Sequence, residues 1–460
     1  MQGSGSDAIS EPDPCKDPNR LELTQSGKRG SVQDRVLLLG ASGSGKSTLL
    51  AAIAGVLADE DGEHSGELQV SGTPGMVLQD PDSQVISSRV GDDVAFGCEN
   101  MCVPRDQIWP RVTQALAQVG LDLPLDHPTS ELSGGQKQRL ALAGVIAMGA
   151  DIVLLDEPTA NLDPDGVREV VSNISRAVET TGATMIVVEH RVSTWLDHVD
   201  RIIALGPDGR VLADGPARDV IAKHGRELSE LGIWVPENDP QLPAALTPTH
   251  SDTAIHAREL AVGWNQPLGT YSFDIPAGAS TVITGANGKG KSTLLLTLAG
   301  LLPAHSGRVE VAHNIARGLH TDPLRWKSKE LSSRFGFVFQ DPEHQFVAAT
   351  VREEMRVGLH DHNHLARADL LLERLRLDHL AEANPFTLSG GQKRRLSVAT
   401  ILVNTPDVVF LDEPTFGQDR TTFIELVTLL RELTDAGTTV VSITHDELYR
   451  RCLGDKEIAL

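Results

Sequence analysis

The chain has 460 residues, a formal net charge of −22 and 40% hydrophobic residues. Since a domain usually contains roughly 100–200 residues, this length predicts two or three globular domains. Binding to the phosphates of nucleic acid requires a basic face, so the acidic balance argues against a nucleic-acid partner. No apolar run approaches the roughly 18 residues that span a bilayer, and the polar N-terminus lacks the pattern of a signal peptide. We therefore expect a chain that neither crosses a membrane nor is exported.

The first predicted strand runs from Arg35 to Leu39 and leads into a glycine-rich loop, and a helix is predicted from Ser47 to Leu57. The loop has the P-loop pattern GxxxxGK[ST], in which backbone N–H groups and the N-terminus of the following helix hold phosphate. Lys46 is expected to reach the β- and γ-phosphates of ATP, and the Ser47 hydroxyl to hold Mg²⁺. The phosphate-binding residues predicted from this pattern are Gly40, Ala41, Ser42, Gly43, Ser44, Gly45, Lys46, Ser47 and Thr48.

Two further buried strands are predicted, from Asp151 to Leu155 and from Thr184 to Val188. Asp156 follows the first of these strands, at the edge of the sheet where α/β proteins bind ligands, and is expected to order Mg²⁺. Glu157 comes next and can polarise the attacking water as a general base. Short apolar runs that alternate with helical patterns predict an α/β fold with a largely parallel sheet.

All these motifs recur in the second half of the chain, in the same order and with nearly the same spacing, which predicts a duplicated domain. Asp412 and Glu413 repeat the acidic pair. Prolines and small polar residues cluster between the copies, so we predict a polar tail at residues 1–20, a first domain at 21–236, a linker at 237–253 and a second domain at 254–460. The second P-loop comprises Gly285, Ala286, Asn287, Gly288, Lys289, Gly290, Lys291, Ser292 and Thr293.

The motif LSGGQ also occurs twice, each time before a helical pattern. It resembles the signature motif of ABC ATPases, and this resemblance covers nearly the whole chain. It implies two tandem P-loop NTPase cassettes, each with a parallel-sheet core and a helical subdomain around the signature. In this family the signature of one cassette faces the P-loop of the other, so that ATP lies between them. The signature residues expected to contact ATP are Ser133, Gly134, Gly135, Gln136, Ser389, Gly390, Gly391 and Gln392.

The same resemblance assigns further residues. Gln79 and Gln340 match the glutamines that contact the metal and the nucleophile, and His190 and His445 match the switch histidines that touch the γ-phosphate. Trp264 lies where the family places an aromatic side chain on adenine. The first copy has no aromatic residue before Gly40, so its adenine contact stays unassigned. The resemblance thus implies ATP and Mg²⁺ as cofactors, with metal sets Ser47, Gln79, Asp156 and Ser292, Gln340, Asp412, and places Asp163 and Asp419 in the two D-loops.

The segments that follow Gln79 and Gln340 both read QDP[DE]xQ. They resemble the ATPases of energy-coupling-factor (ECF) importers, in which a short helix at this place grips a membrane protein. Gln84 and Gln345, the last residues of the two segments, are expected to contribute to this grip. The resemblance implies an ATP-hydrolysing subunit at the cytoplasmic face of the cell membrane, bound to a transmembrane coupling subunit and a substrate-binding membrane subunit. The cargo of such importers is a vitamin, a vitamin precursor such as hydroxymethylpyrimidine or thiamine, or a cobalt or nickel ion.

Three alternatives stay open. Another class of ABC transporter ATPase would carry the same motifs, although the fused ATPases of monosaccharide importers usually have one degraded cassette and both copies are intact here. A soluble tandem ABC ATPase that acts on ribosomes is the second alternative, and such proteins usually have a long charged linker that this chain lacks. A purely structural role is disfavoured by Glu157 and Glu413, which retain the acid needed for hydrolysis.

Overall fold

The computed structural model describes residues 34–41, 43–57, 67–160, 162, 164–246, 252–286, 288–359, 362–415 and 417–460. The predicted polar tail and three of the residues discussed above, Ser42, Asp163 and Asn287, lie outside these ranges. The chain divides into two compact units between Asn238 and Asp239, which is within the segment predicted as a linker. Within the described residues, no helix combines the length and apolar character required to span a bilayer.

The first unit is built on a six-stranded sheet in the order β2-β3-β4-β1-β5-β6. All neighbouring strands are parallel except β5 and β6, which are antiparallel. The strands are β1 (Arg35–Gly40), β2 (Pro74–Val77), β3 (Ile152–Asp156), β4 (Thr184–Val188), β5 (Arg201–Leu205) and β6 (Val211–Pro216). The helices are α1 (Lys46–Ala54), α2 (Val90–Asn100), α3 (Arg105–Gln118), α4 (Gly134–Ala147), α5 (Pro164–Thr181), α6 (Val192–Trp195) and α7 (Ala217–Glu230).

The central strands of this sheet are buried on both faces. β4 is buried at every residue, and the side chains of β1 alternate between two apolar clusters, with Leu37 and Leu39 in one and Val36 and Leu38 in the other. Parallel sheets covered on both faces need such continuous apolar runs, which explains why these strands are recognisable in the sequence. Helix α1 ends at Ala54, three residues before the predicted end, because Gly55 adopts a left-handed conformation (φ 71°) that terminates the helix.

The second unit contains a parallel five-stranded sheet in the order β11-β12-β13-β9-β14 and an antiparallel sheet in the order β10-β7-β8. The strands are β7 (Thr253–Val262), β8 (Gly269–Pro276), β9 (Ser280–Thr284), β10 (Ser306–Val311), β11 (Phe335–Val338), β12 (Val408–Asp412), β13 (Thr439–Ile443) and β14 (Lys456–Ala459). The helices are α8 (Lys291–Leu298), α9 (His313–Ala316), α10 (Ser328–Ser332), α11 (Val351–Glu354), α12 (His362–Arg374), α13 (Gly390–Leu402), α14 (Arg420–Asp435) and α15 (Glu447–Leu453). The predicted α/β class with largely parallel sheets is confirmed for both units.

A buried ion pair holds the end of the second unit together. Asp455, just before β14, accepts hydrogen bonds from the Arg431 guanidinium on α14 at 2.8 and 2.7 Å. The same carboxylate accepts the backbone N–H groups of Ser280 at 3.0 Å and Leu246 at 2.6 Å. One side chain thereby connects β9, α14 and the residues that precede β7.

Candidate functional site

The strand order explains how distant motifs meet. In the first unit β3, β4 and β1 are neighbours, and all three are parallel. Asp156 at the end of β3, His190 just after β4 and the P-loop after β1 therefore lie at the same carboxyl edge of one sheet. The second unit repeats this arrangement with β12, β13 and β9.

Each P-loop wraps around its lysine. The Lys46 ammonium donates to the carbonyl oxygens of Gly40 and Ala41, both at 3.0 Å, and Lys291 donates to those of Gly285 and Ala286 at 2.8 and 3.2 Å. Gly43 and Gly45 have left-handed φ angles of 82° and 86°, and Gly288 and Gly290 have 78° and 84°. Residues with a Cβ atom rarely adopt this backbone conformation, which explains why glycine occupies these positions. The loop is thus arranged to present backbone N–H groups and one lysine to phosphate oxygens.

The residues assigned to Mg²⁺ also pair within each unit. The Ser47 hydroxyl donates to Asp156 Oδ1 at 3.0 Å, and Ser292 hydrogen-bonds Asp412 in the same way. Burial raises the pKa of both aspartates. A hydroxyl at the start of the phosphate-binding helix, next to a carboxylate at the end of β3 or β12, is an oxygen donor set that suits Mg²⁺. When bound, Mg²⁺ would neutralise charge on the phosphate oxygens, and these two pairs, with Gln79 and Gln340 of the predicted metal sets, are the side chains that would hold it.

In the first unit the candidate base Glu157 is held by two side chains. Its Oε1 lies 2.9 Å from His190 Nε2, and its Oε2 accepts from Gln79 Nε2 at 2.8 Å. Burial opposes ionisation of Glu157, but the hydrogen bond and charge of His190, together with Lys46, lower its pKa below the usual value. Burial likewise opposes the charged form of His190, and Glu157 outweighs it and raises the histidine pKa. The pair therefore favours an ionised carboxylate next to an imidazolium.

The second unit arranges the equivalent pair differently. Glu413 Oε1 lies 3.7 Å from His445 Nε2, beyond hydrogen-bonding distance, and Glu413 Oε2 accepts the backbone N–H of His445 at 3.4 Å. Thr444 also hydrogen-bonds Glu413. Burial, together with the charge of Asp412, raises the pKa of Glu413 to about 7. Gln340 follows β11 at the same edge of the sheet, and its side chain is exposed.

Both candidate bases have an unusual backbone conformation. Glu157 and Glu413 have φ angles of 46° and 48°, in the left-handed region that non-glycine residues seldom occupy. Their N–H groups are nevertheless held by the neighbouring strand, since Glu157 N donates to Val188 O and Glu413 N to Ile443 O, both at 3.0 Å. Strained backbone of this kind is concentrated at functional sites. The turn directs each carboxylate toward the residues after β4 or β13, where it can accept a proton from water during phosphoryl transfer.

The two signature motifs begin helices, as the sequence predicts. Ser133 precedes α4 and Ser389 precedes α13, and each forms a capping box with the glutamine three residues later. Gln136 Oε1 accepts from Ser133 N at 2.8 Å, and Gln392 Oε1 accepts from Ser389 N at 2.9 Å. The capping boxes engage the backbone N–H groups of the serine and of the glutamine in each motif. Gly134 and Gly390, which begin the helices, have no side chain that would prevent an anion from approaching the helix N-terminus.

The QDP[DE]xQ segments form short 3-10 helices, Asp82–Gln84 and Pro342–Gln345. In both units the acidic residue of the segment forms an ion pair with the lysine of the signature helix, Asp82 with Lys137 and Glu343 with Lys393. This repeated ion pair connects the segment after Gln79 or Gln340 to the signature helix.

The structure gives the last glutamine of each segment a role that differs from the predicted partner contact. Gln84 accepts from Leu78 N at 2.9 Å and donates to Met76 O at 2.8 Å. Gln345 donates to Ser397 O and Thr400 Oγ1 on α13. Both amides are engaged inside their own cassette, because the 3-10 turn directs them back toward the sheet or the signature helix. These hydrogen bonds hold each QDP[DE]xQ segment against its own cassette.

The adenine assignment concerns a side chain that protrudes from the protein. Trp264 is 67% exposed in the turn between β7 and β8, so its ring face is accessible to a base. The strand that follows is attached to the P-loop, since the Tyr271 hydroxyl donates to Lys289 O at 3.3 Å. Residues 1–33, where the first unit would present its own contact, lie outside the described ranges. Asp419 caps α14 by accepting from Thr422 N at 2.9 Å.

One residue at the first site, Glu189, was not predicted from any sequence motif. Glu189 is 7% exposed, and it accepts from Thr159 Oγ1 at 2.5 Å and from His190 N at 3.0 Å. Burial, followed by the charge of Glu157, raises its pKa. The second unit has Thr444 at this position, so alignment of the two halves would have revealed the difference, although it would not have revealed the contacts.

Comparison with known proteins gives the family. The model of the family described as ABC transporter matches residues 31–160 and again residues 268–416. A Bacillus subtilis (strain 168) protein, provisionally named an HMP/thiamine import ATP-binding protein, is 35% identical over 89% of this chain and 81% of its own length. A Methanosarcina mazei protein, provisionally named an ABC transporter ATP-binding protein, is 32% identical over 89% of this chain and 80% of its own.

A solved structure supports the fold. An archaeal ribosome recycling factor, in complex with a ribosomal stalk protein, matches with a TM-score of 0.59 over 93% of this chain and 83% of its own. At 21% identity this likeness concerns the fold alone. The two family matches, the relatives and the repeated phosphate-binding motifs agree. The chain therefore belongs to the ABC transporter family, as an ATP-binding protein with two fused ATPase cassettes.

Proposed function

We propose that this ATPase is the energy-coupling subunit of an ECF-type importer for a vitamin, a vitamin precursor or a transition-metal ion. In this proposal the chain binds Mg²⁺ with ATP and acts at the cytoplasmic face of the membrane, with a transmembrane coupling subunit and a substrate-binding subunit as partners. The name of the Bacillus subtilis relative refers to HMP/thiamine import, which favours hydroxymethylpyrimidine or thiamine as the cargo of this chain's importer.

The observation that carries this proposal is an exposed aliphatic side chain that follows the QDP[DE]xQ turn in both cassettes. Ile86 is 62% exposed and Val347 is 75% exposed. The backbone on which each sits is fixed by a carboxylate from the next helix. Asp93 Oδ1 accepts from the N–H of Ile86 and of Ser87, both at 2.8 Å.

The second cassette repeats this brace with a different residue. Glu354 Oε2 accepts from the N–H of Val347 at 2.8 Å and of Ala348 at 2.7 Å, and Glu354 is only 4% exposed. Nearby, the half-exposed Phe386 packs edge-on against Phe346 at 6.1 Å between ring centroids. Covering an exposed aliphatic side chain with a partner lowers the free energy of the complex. Because the backbone is already fixed, less conformational entropy is lost on binding. This pair of features suits an apolar helix of a membrane partner.

The test is co-purification of the full chain from detergent-solubilised membranes, with integral proteins identified by mass spectrometry. Ile86→Asp with Val347→Asp should remove the co-purifying integral proteins while ATP binding persists, because both residues lie outside the P-loops. Val56→Asp with Leu301→Asp is the matched control, since these aliphatic side chains are also exposed, at 66% and 45%. Sedimentation of the wild-type chain with ribosomes, with no integral protein in the membrane fraction, would refute the importer proposal.

A further inference from the structure

The two candidate bases, Glu157 and Glu413, differ in the groups that they contact. Both oxygens of Glu157 contact side chains, the His190 ring and the Gln79 amide, at 2.9 and 2.8 Å. Glu413 instead accepts the backbone N–H of His445 at 3.4 Å, and its distance to the histidine ring is 3.7 Å. The two glutamate-to-ring distances therefore differ by 0.8 Å, which is 3.7 minus 2.9.

The difference has a local cause. In the first cassette the backbone N–H of the switch histidine is already bound, because Glu189 Oε1 accepts it at 3.0 Å. The other oxygen of Glu189 is held by the Thr159 hydroxyl, two residues after the base. In the second cassette Thr444 replaces Glu189, and its hydroxyl interacts with Glu413 and accepts from Asp446 N at 3.0 Å. The backbone N–H of His445 is then left to Glu413.

We propose that Glu189 is a positioning residue that makes the first cassette the faster of the two hydrolytic sites. It acts through His190 and Glu157 and does not itself meet the nucleotide. By binding the histidine backbone it leaves the Glu157 carboxylate to the His190 ring and the Gln79 amide. Active sites commonly orient a base through a third group at hydrogen-bonding distance, and a displacement of about 1 Å can reduce turnover by about 10²-fold.

This inference rests on the proposed role of Glu157 and Glu413 as bases, and it is independent of the importer class. The base role has its own test, because the double variant Glu157→Gln with Glu413→Gln must lose hydrolysis. Near-normal turnover in that variant would reject the bases themselves. The single variants then compare the sites. Glu157→Gln should remove most of the total turnover and Glu413→Gln only a minor part, whereas equal losses would overturn the inference.

Glu189 is tested in the full chain carrying Glu413→Gln, so that the remaining hydrolysis belongs to the first base. Glu189→Thr should lower kcat by about 10- to 100-fold, with the KM for ATP changed by less than about 2-fold, because the phosphate-binding loop is untouched. Glu189→Gln should keep kcat within about 3-fold, since its amide oxygen can still accept from His190 N and its amide N–H can donate to Thr159. Glu99→Thr, the same loss of a carboxylate at an exposed site of the first cassette, is the control and should change neither constant.

Misfolding is monitored by the thermal unfolding midpoint, and the second cassette shows that this fold accepts threonine at the equivalent place. An unchanged kcat in Glu189→Thr would overturn the inference, and so would a rise in KM alone. Glu189→Gln falling as far as Glu189→Thr would also overturn it, because the effect would then come from the charge and not from the hydrogen bonds.

Discussion

Asp455 offers the sharpest test of how the second cassette is held together. Its side chain is 3% exposed and that of its partner Arg431 is 7% exposed. Asp455→Ala would leave the buried Arg431 guanidinium with only the longer carboxylate contact to Asp435, at 3.5 Å, and would remove the acceptor from the backbone N–H groups of Ser280 and Leu246. Breaking a buried pair from one side usually costs about 3–5 kcal/mol, and unsatisfied donors add to that cost. We expect the free energy of unfolding of the second cassette to fall by about 3–5 kcal/mol.

The assay is urea unfolding of the full chain, followed by pulsed hydrogen exchange and mass spectrometry, so that peptides report each cassette separately. Glu457→Ala is the matched control because Glu457 also pairs with an arginine, Arg450, at 2.8 Å, but with side chains 42% and 37% exposed. Such an exposed pair contributes about 0.2–1 kcal/mol. Equal, small losses in both variants would refute the reasoning that burial makes the Asp455 pair costly to break.

The contribution of Asp455 should also depend on pH. Burial opposes its ionisation, but the Arg431 hydrogen bonds and the two backbone donors outweigh burial and lower its pKa below the usual value. A carboxyl whose folded pKa is depressed stabilises the protein above the unfolded pKa, about 3.9, and loses that contribution as the pH falls through the folded pKa. The difference in stability between wild type and Asp455→Ala should therefore be constant from pH 7 to about 5 and shrink below about 4. A difference that grows on acidification would contradict this sign.

Three further predictions concern the sites. Glu157→Gln with Glu413→Gln should lower ATPase turnover by about 10²–10⁴-fold and still bind ATP, because an amide keeps the shape but cannot take the proton; calorimetry and phosphate release measure the two effects. Trp264→Ala should weaken ATP binding at the second site by about 1–3 kcal/mol in nucleotide titrations of a chain whose first P-loop lysine is replaced by alanine, and unchanged affinity would exclude stacking. Glu343→Lys should lower the thermal unfolding midpoint through repulsion of Lys393, and the added change Lys393→Glu should restore it; a double-mutant cycle with no coupling would show that the ion pair contributes nothing.

The fold followed from features that are local in the sequence. Continuous apolar runs predict strands buried on both faces, and the strand predicted from Thr184 to Val188 has the same bounds in the structure. The P-loop pattern predicts a glycine-rich backbone cradle, and the structure shows glycines with left-handed φ angles in both loops. Boundaries set by one residue's conformation were less accurate, as the early end of α1 at Gly55 shows.

The details of each site depended on contacts between distant residues. Gln84 and Gln345 occupy equivalent positions in the sequence, yet Gln84 donates to Met76 O in β2 and Gln345 donates to α13. No pattern of residues specifies such a choice, because it depends on which polar atoms the packed helices bring within 3 Å or so. The left-handed conformation of Glu157 and Glu413 is equally invisible in the motif, since neither residue is a glycine.

The sequence by itself determined the two cassettes, the order of their motifs and the chemistry of the residues that handle phosphate, because backbone cradles and acidic strand ends require particular residue types at fixed spacing. Only the tertiary structure decided how the candidate bases are held. The histidine contact at the first site depends on Glu189, which reaches His190 N and Thr159 only because β3 and β4 are adjacent in the sheet. Two copies of one motif can therefore differ in geometry, since the hydrogen bonds around a motif belong to the folded neighbourhood and not to the motif.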